Sequence, residues 1–237
     1  MQLLSLGAPA ELVDATHRAA LDEVRHAKLC YGLAHAYGEP AQGPGRLVEA
    51  SAPLEVGLAA FTQAVVLEGC VGETLSALEA AWVAGRAADP RLRAALATVA
   101  QDELAHAVLA FDTVRWLVAT FGAGARRAVA AAIAQAQAGS VAAAAGEEHA
   151  GCELAEHGLI DDATRAALRS RAFRQTVVEP LAAMLEAPAQ TGDLRGHARP
   201  AGGCPCRAEM RACGGRYREG ARPTPGSDSE TWPTSPS

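Results

Sequence analysis

LDEVRHA, residues 21–27, returns eighty residues later as QDELAHA, residues 101–107. Each copy is Asp-Glu-x-x-His set inside a longer run with helical periodicity. A Glu and a His three residues apart fall on one face of a helix, so both side chains can reach a single point in a core. A carboxylate oxygen and an imidazole nitrogen suit iron or manganese. In this composition one Glu-x-x-His arises by chance about half the time, whereas two copies each preceded by Asp arise roughly once in several thousand. The alternative is that Glu23 and Glu103 are solvated charges and the histidines packed core residues.

Working outward from the first copy, Val13, Thr16, Ala20, Val24, Ala27, Tyr31 and Ala34 recur in steps of three and four. They predict a helix between Pro9 and Tyr37, stopped at Gly38, with Ala20, Val24 and Ala27 turned inward. The connection that follows, up to Ala52, is long enough to return along that helix, so the next one can run parallel to it. That helix is expected from a cap at Ser51 to about Ala88. Asp89-Pro90 then breaks the chain and starts another helix to about Phe121, ending before Gly122; so short a break implies antiparallel neighbours. Further helical segments are expected at 124–137, 140–157 and 162–186, with Asp161 or Asp162 as a cap and Pro180 as a kink. The reading is all-α: a helical domain over 1–186 and, over 187–237, a disordered tail with seven Pro, eight Gly and no apolar period.

The chain of 237 residues is 49% hydrophobic, enough for a sizeable core. Its net charge is -6, and the tail holds seven Arg against five acidic residues, leaving fourteen basic and twenty-two acidic groups in residues 1–186. An acidic body disfavours nucleic acid and anionic membranes as partners. No stretch reaches the roughly 18 apolar residues that a membrane-spanning helix needs, and no signal peptide is evident, so the expected location is cytoplasmic. Cys30, Cys70 and Cys152 stand singly in helical patterns; Cys204, Cys206 and Cys213 lie in the tail, without the paired spacing of a zinc or rubredoxin-type site. His17, His35, His149, His157 and His197 lack a Glu at the motif's spacing and read as surface or core residues.

With these motifs and this helix layout, the chain resembles the ferritin-like di-iron carboxylate proteins. DEVRH also resembles the DExRH pattern of bacterial di-iron monooxygenases and soluble desaturases, while DELAH lacks the Arg. The resemblance implies a four-helix bundle with additional C-terminal helices. Its dinuclear centre of two iron ions, or iron and manganese, takes one Glu-x-x-His from each of two helices and a lone Glu from each of the other two. Glu23, His26, Glu103 and His106 would be ligands. Asp22 and Asp102 would each orient a histidine across the bundle, with Arg25 bridging to them.

One lone Glu is expected on the helix before Asp89-Pro90. The second motif lies about sixteen residues past that turn, so its antiparallel partner at equal height falls near residue 72 or 73, which selects Glu73. Glu68, five residues earlier and about 140° around an α-helix, is the second choice. Gly69 and Gly72 sit inside this helix at a cost of about 1 kcal/mol each relative to Ala, which implies a compensating close helix approach or room beside the metals. Cys70 reads as a small core residue.

The same count around the LGAP turn at residues 6–9 puts the other lone Glu some eight residues before Met1. Either the protein is longer, or it has lost a ligand and binds one metal more weakly; a helix cut short also exposes apolar surface and invites dimerisation. The function expected is metal-dependent oxidation using O2 or peroxide, with an unidentified electron donor. Iron oxidation and storage, and a metal-free helical interaction module, are the alternatives.

Overall fold

The computed structural model describes residues 2–45, 57–143 and 152–187; the expected cap at Ser51 and the tail lie outside the described residues. All regular structure in the described residues is helical: α1 (Gln2–Ser5), α2 (Ala10–Ala36), α3 (Leu58–Ala84), α4 (Pro90–Phe121) and α5 (Ala123–Ala143). A 3-10 turn at Cys152–His157 precedes α6, which runs through Asp162–Ala172, a π-helical turn Phe173–Val178, and Glu179–Glu186.

Local chemistry sets the helix ends. Pro9 caps α2 and Gly38 follows it at φ 99, a left-handed conformation that glycine adopts without strain. Asp89 accepts a hydrogen bond from the Arg91 amide at 2.7 Å, and Pro90 fills the first position of α4, where no amide partner is needed. Asp161 caps α6 through the Thr164 amide at 2.8 Å. The π turn Phe173–Val178 precedes Pro180, whose ring nitrogen cannot donate to the carbonyl of Thr176, so the backbone widens there.

α3 and α4 form an antiparallel hairpin. Gly69 lies against Ala110, Glu73 reaches His106, Ala77 and Leu78 share a cluster with Ala100, and Trp82 packs with Leu96. A Cβ on Gly69 would stand 2.5 Å from that of Ala110, so the close helix approach is at Gly69. Gly72 meets only the Leu67 carbonyl of its own helix at 3.6 Å, so of the two expectations the close approach holds at Gly69 and not at Gly72. Phe111, Val114 and Leu117 of α4 join Val66 and Cys70 of α3, Val129 of α5, and Val177 and Leu181 of α6 in the main core. Each such side chain contributes about 1.5–3 kcal/mol by leaving water. Glu79 of α3 binds Arg165 at 3.3 Å and Arg169, tying α6 to the hairpin.

α2 lies against α4, with Asp22 opposite His106 and His26 opposite Asp102, so these two helices are antiparallel and α2 runs parallel to α3. The expected inward face of α2 is not covered. Ala20, Val24 and Ala27 are exposed, Leu21 is 64% exposed, and His26 is the one buried residue of the helix. Val13 at the start of the stripe packs on the main core, but the stretch from Ala20 to Ala27 stays open; periodicity selects a face without supplying its cover.

Two further expectations are corrected. Helix α5 continues to Ala143 through an Ala-rich run of high helix propensity, and Cys152–His157 forms a 3-10 turn where an α-helix over 140–157 was expected. α3 and α4 are long and apolar enough by composition to cross a membrane, because Ala, Val and Leu outweigh their few charged residues over an 18-residue window although no apolar run is unbroken. In the structure these two helices pack on each other and carry Glu73, Glu103 and His106.

Candidate metal centre

The two motifs cross where α2 meets α4. His106 Nε2 donates to Asp22 Oδ2 at 3.2 Å, and His26 Nε2 donates to Asp102 Oδ2 at 3.3 Å, so each histidine is held by the acidic residue of the other motif. Donation from Nε2 fixes the tautomer and leaves Nδ1 facing inward. His106 Nδ1 stands 3.2 Å from Glu23, 3.6 Å from Glu103 and 4.0 Å from Glu73. His26 Nδ1 stands 3.3 Å from Glu103 and 3.6 Å from Glu23. The ring centroids are 6.1 Å apart, with the carboxylates around the space between them.

One guanidinium serves both outer carboxylates. Arg25 binds Asp22 of its own helix and reaches Asp102 of α4 at 3.3 Å. The related position in the second motif is Ala105, so Asp102 takes its share from across the helix pair.

Glu23, Glu73, Glu103 and His106 each offer a ligand atom within 4.8 Å of the others. Such crowding is costly without a cation. Burial, with the neighbouring Glu103 and Glu23 carboxylates, pushes Glu73 up to about 8. Burial opposes charge on His106, yet hydrogen bonds to Glu103 and Asp22 raise it to about 9. For Glu103 and Asp22 burial pulls upward, and bonds from His106, with Glu73 for the first and Arg25 for the second, hold both below the ordinary carboxylate range. Two atoms at this junction have no hydrogen-bond partner: His26 Nδ1 and Glu103 Oε2. Buried polar atoms are almost always satisfied, and a divalent cation among oxygen and imidazole donors would satisfy these two. The donor set therefore suits a metal ion.

The structure thus brings together Glu23, His26, Glu73, Glu103 and His106, with Asp22, Asp102 and Arg25 around them. Glu68 falls outside the four-residue group. It nevertheless lines a cavity of about 430 Å³ with Glu23, Glu73 and His106, walled by Leu3, Phe61 and other apolar side chains of α1 to α4. The backbone explains its orientation: Val65–Glu73 is π-helical, so the 140° separation of an α-helix does not apply. The paired glycines were the local sign of this irregularity. Thr74, where the π segment ends, is fully buried with an unpartnered hydroxyl, whereas Thr62, Thr113 and Thr176 each donate to the carbonyl four residues back. Cys70 is buried and free, a core thiol that burial pushes well above its ordinary range. His17 also lines the cavity, a position its lack of a motif Glu did not suggest.

No family model, curated protein or solved structure matches the chain. The centre is defined by its own geometry: an all-helical protein with a Glu/His group able to hold a metal ion.

Proposed function

We propose that the chain is a ferritin-like helical protein whose crossed Asp-Glu-x-x-His motifs hold two iron ions, or iron and manganese, for O2- or peroxide-dependent oxidation. The observation that carries this reading is the reciprocal pairing of the motifs, with both Nδ1 atoms turned inward and two buried donor atoms left without partners. Glu23, His26, Glu73, Glu103 and His106 are the ligands. Bound iron supplies the one-electron redox steps that no side chain in the cluster can perform.

The chain's own residues prepare the site. Asp22 and Asp102 hold the imidazole Nε2 protons, so the position each ring offers to a cation is Nδ1. Arg25 balances the two aspartates. Glu73 and His106 give up their protons as the cation enters, and the cavity admits a small molecule to the Glu23–Glu73 side.

Elemental analysis of the protein after anaerobic loading with Fe(II) tests the reading. About two irons per chain, followed by O2 consumption, is the expected result; well under one iron per chain overturns it. The four-residue group that excludes His26 supports a second reading, a single ion on Glu23, Glu73, Glu103 and His106, for which the count is one.

A further inference from the structure

We propose that Glu68 is a fourth carboxylate ligand of this centre, turned to the same side as Glu73 by the π-helical winding between them. The inference rests on the metal reading above and adds a ligand to it.

Three observations carry it. First, in a π-helix hydrogen bonds join residues five apart, so residue i+5 sits nearly over residue i, where an α-helix would put it about 140° away. Glu68 and Glu73 are five apart within Val65–Glu73, and both line the cavity shared with Glu23 and His106. Second, Glu68 is exposed on the cavity wall, so its carboxylate has room to swing. Third, His26 Nδ1 and Glu103 Oε2, on residues 8% and 9% exposed, have no hydrogen-bond partner and mark a place for cationic charge beside the same cluster.

Charge gives the reason a fourth carboxylate is needed. Asp22 and Asp102 are engaged by Arg25 and the histidines, which leaves Glu23, Glu73 and Glu103 to face the ions. Three carboxylates leave two divalent cations with excess positive charge, and Glu68 removes it. The π segment thus lets one helix deliver two ligands at neighbouring heights.

The test compares the full chain with Glu68→Gln and Glu68→Asp, each loaded anaerobically with Fe(II), reading iron per chain and the affinity of the weakest-held ion by chelator competition. Glu68 is exposed, so both variants should keep the wild-type circular dichroism. Glu68→Gln is expected to lose that ion or weaken it by about tenfold or more, with partial recovery in Glu68→Asp, which keeps the charge on a shorter arm. Wild-type stoichiometry and affinity in Glu68→Gln would overturn the inference and leave the five-ligand centre standing. A wild-type protein that takes up no iron would instead remove the metal reading, and this one with it.

Discussion

The two copies of the motif share a chemistry and differ in their surroundings. The histidines are matched, His26 and His106 having side chains 10% and 7% exposed, and so are the aspartates at 19% and 18%. The glutamates are not: the side chain of Glu103 is 12% exposed and that of Glu23 is 53%. Histidine burial comes from the reciprocal crossing, which each motif provides for the other. Glutamate burial comes from a third helix, and α3 covers Glu103 while no described element covers Glu23. A motif therefore carries its ligand geometry with it, but its dielectric surroundings depend on its neighbours.

The largest effect that would break or sharpen this comparison is on metal content. Glu103 stands between both histidines, so Glu103→Ala is expected to abolish tight iron binding, whereas Glu23→Ala on the open side retains a partial complement. Elemental analysis of the two variants in parallel decides the matter, and equal losses would erase the distinction.

Proton linkage comes next. Glu73 at about 8 and His106 at about 9 both sit above their ordinary values of 4.5 and 6.5, so the metal-free fold holds these protons more tightly than the unfolded chain. Their stabilisation of the metal-free protein is complete below the unfolded values and is lost as pH rises through the folded ones. Its melting temperature should therefore fall between about pH 4.5 and 9, most steeply between about 6.5 and 8 where both groups act. Metal binding has the opposite sign, because the cation must displace both protons, and affinity should rise about tenfold per pH unit for each proton released. Titration calorimetry in buffers of different ionisation heat counts the protons, and about two at neutral pH is the expected number.

Removing the shared guanidinium is a step smaller. Arg25→Ala should weaken metal binding by roughly 10–100-fold, the usual cost of losing support behind ligands, and should do so for both ions since both aspartates depend on it. An effect confined to one ion would show that Asp102 is held independently. Gly69→Ala forces its new methyl against Ala110 and should cost about 1–3 kcal/mol in urea unfolding, while Gly72→Ala should be neutral or stabilise by up to about 1 kcal/mol. The smallest expected effect is Leu21→Glu on the uncovered face of α2, within about 0.5 kcal/mol for the isolated chain. A larger loss by the same unfolding measurement would mean that this face is covered in solution.

Much of the helix layout was legible because it is written in local signals. Pro9, the Asp89-Pro90 pair, Gly122 and Asp161 act within a turn of where they stand, and the helix ends fall at them. Counting residues from the α3–α4 turn leads to Glu73 because an antiparallel hairpin fixes equal heights on its two arms. The count assumed one winding throughout, whereas Val65–Glu73 is π-helical, so the angle it gave between Glu68 and Glu73 does not apply; Gly69 in that segment meets Ala110, forty-one positions away. The exposure of Leu21 and Val24 was illegible for a similar reason: an apolar stripe states which face prefers cover, and cover is a property of other helices. Arg25 bridging to the aspartates was legible only through the resemblance, and the crossing of α2 with α4 brings it to Asp102.

The missing side chain at Gly69 acts as a notch. The Cβ of Ala110 sits in it, and sliding α3 along α4 would carry that methyl out of the notch and against the walls on either side. Glu73, four residues further on, is thereby indexed against His106 at a fixed height. An ion of larger or smaller radius must then be met by rotation about the glutamate side-chain bonds, since the backbone beneath them is not free to travel.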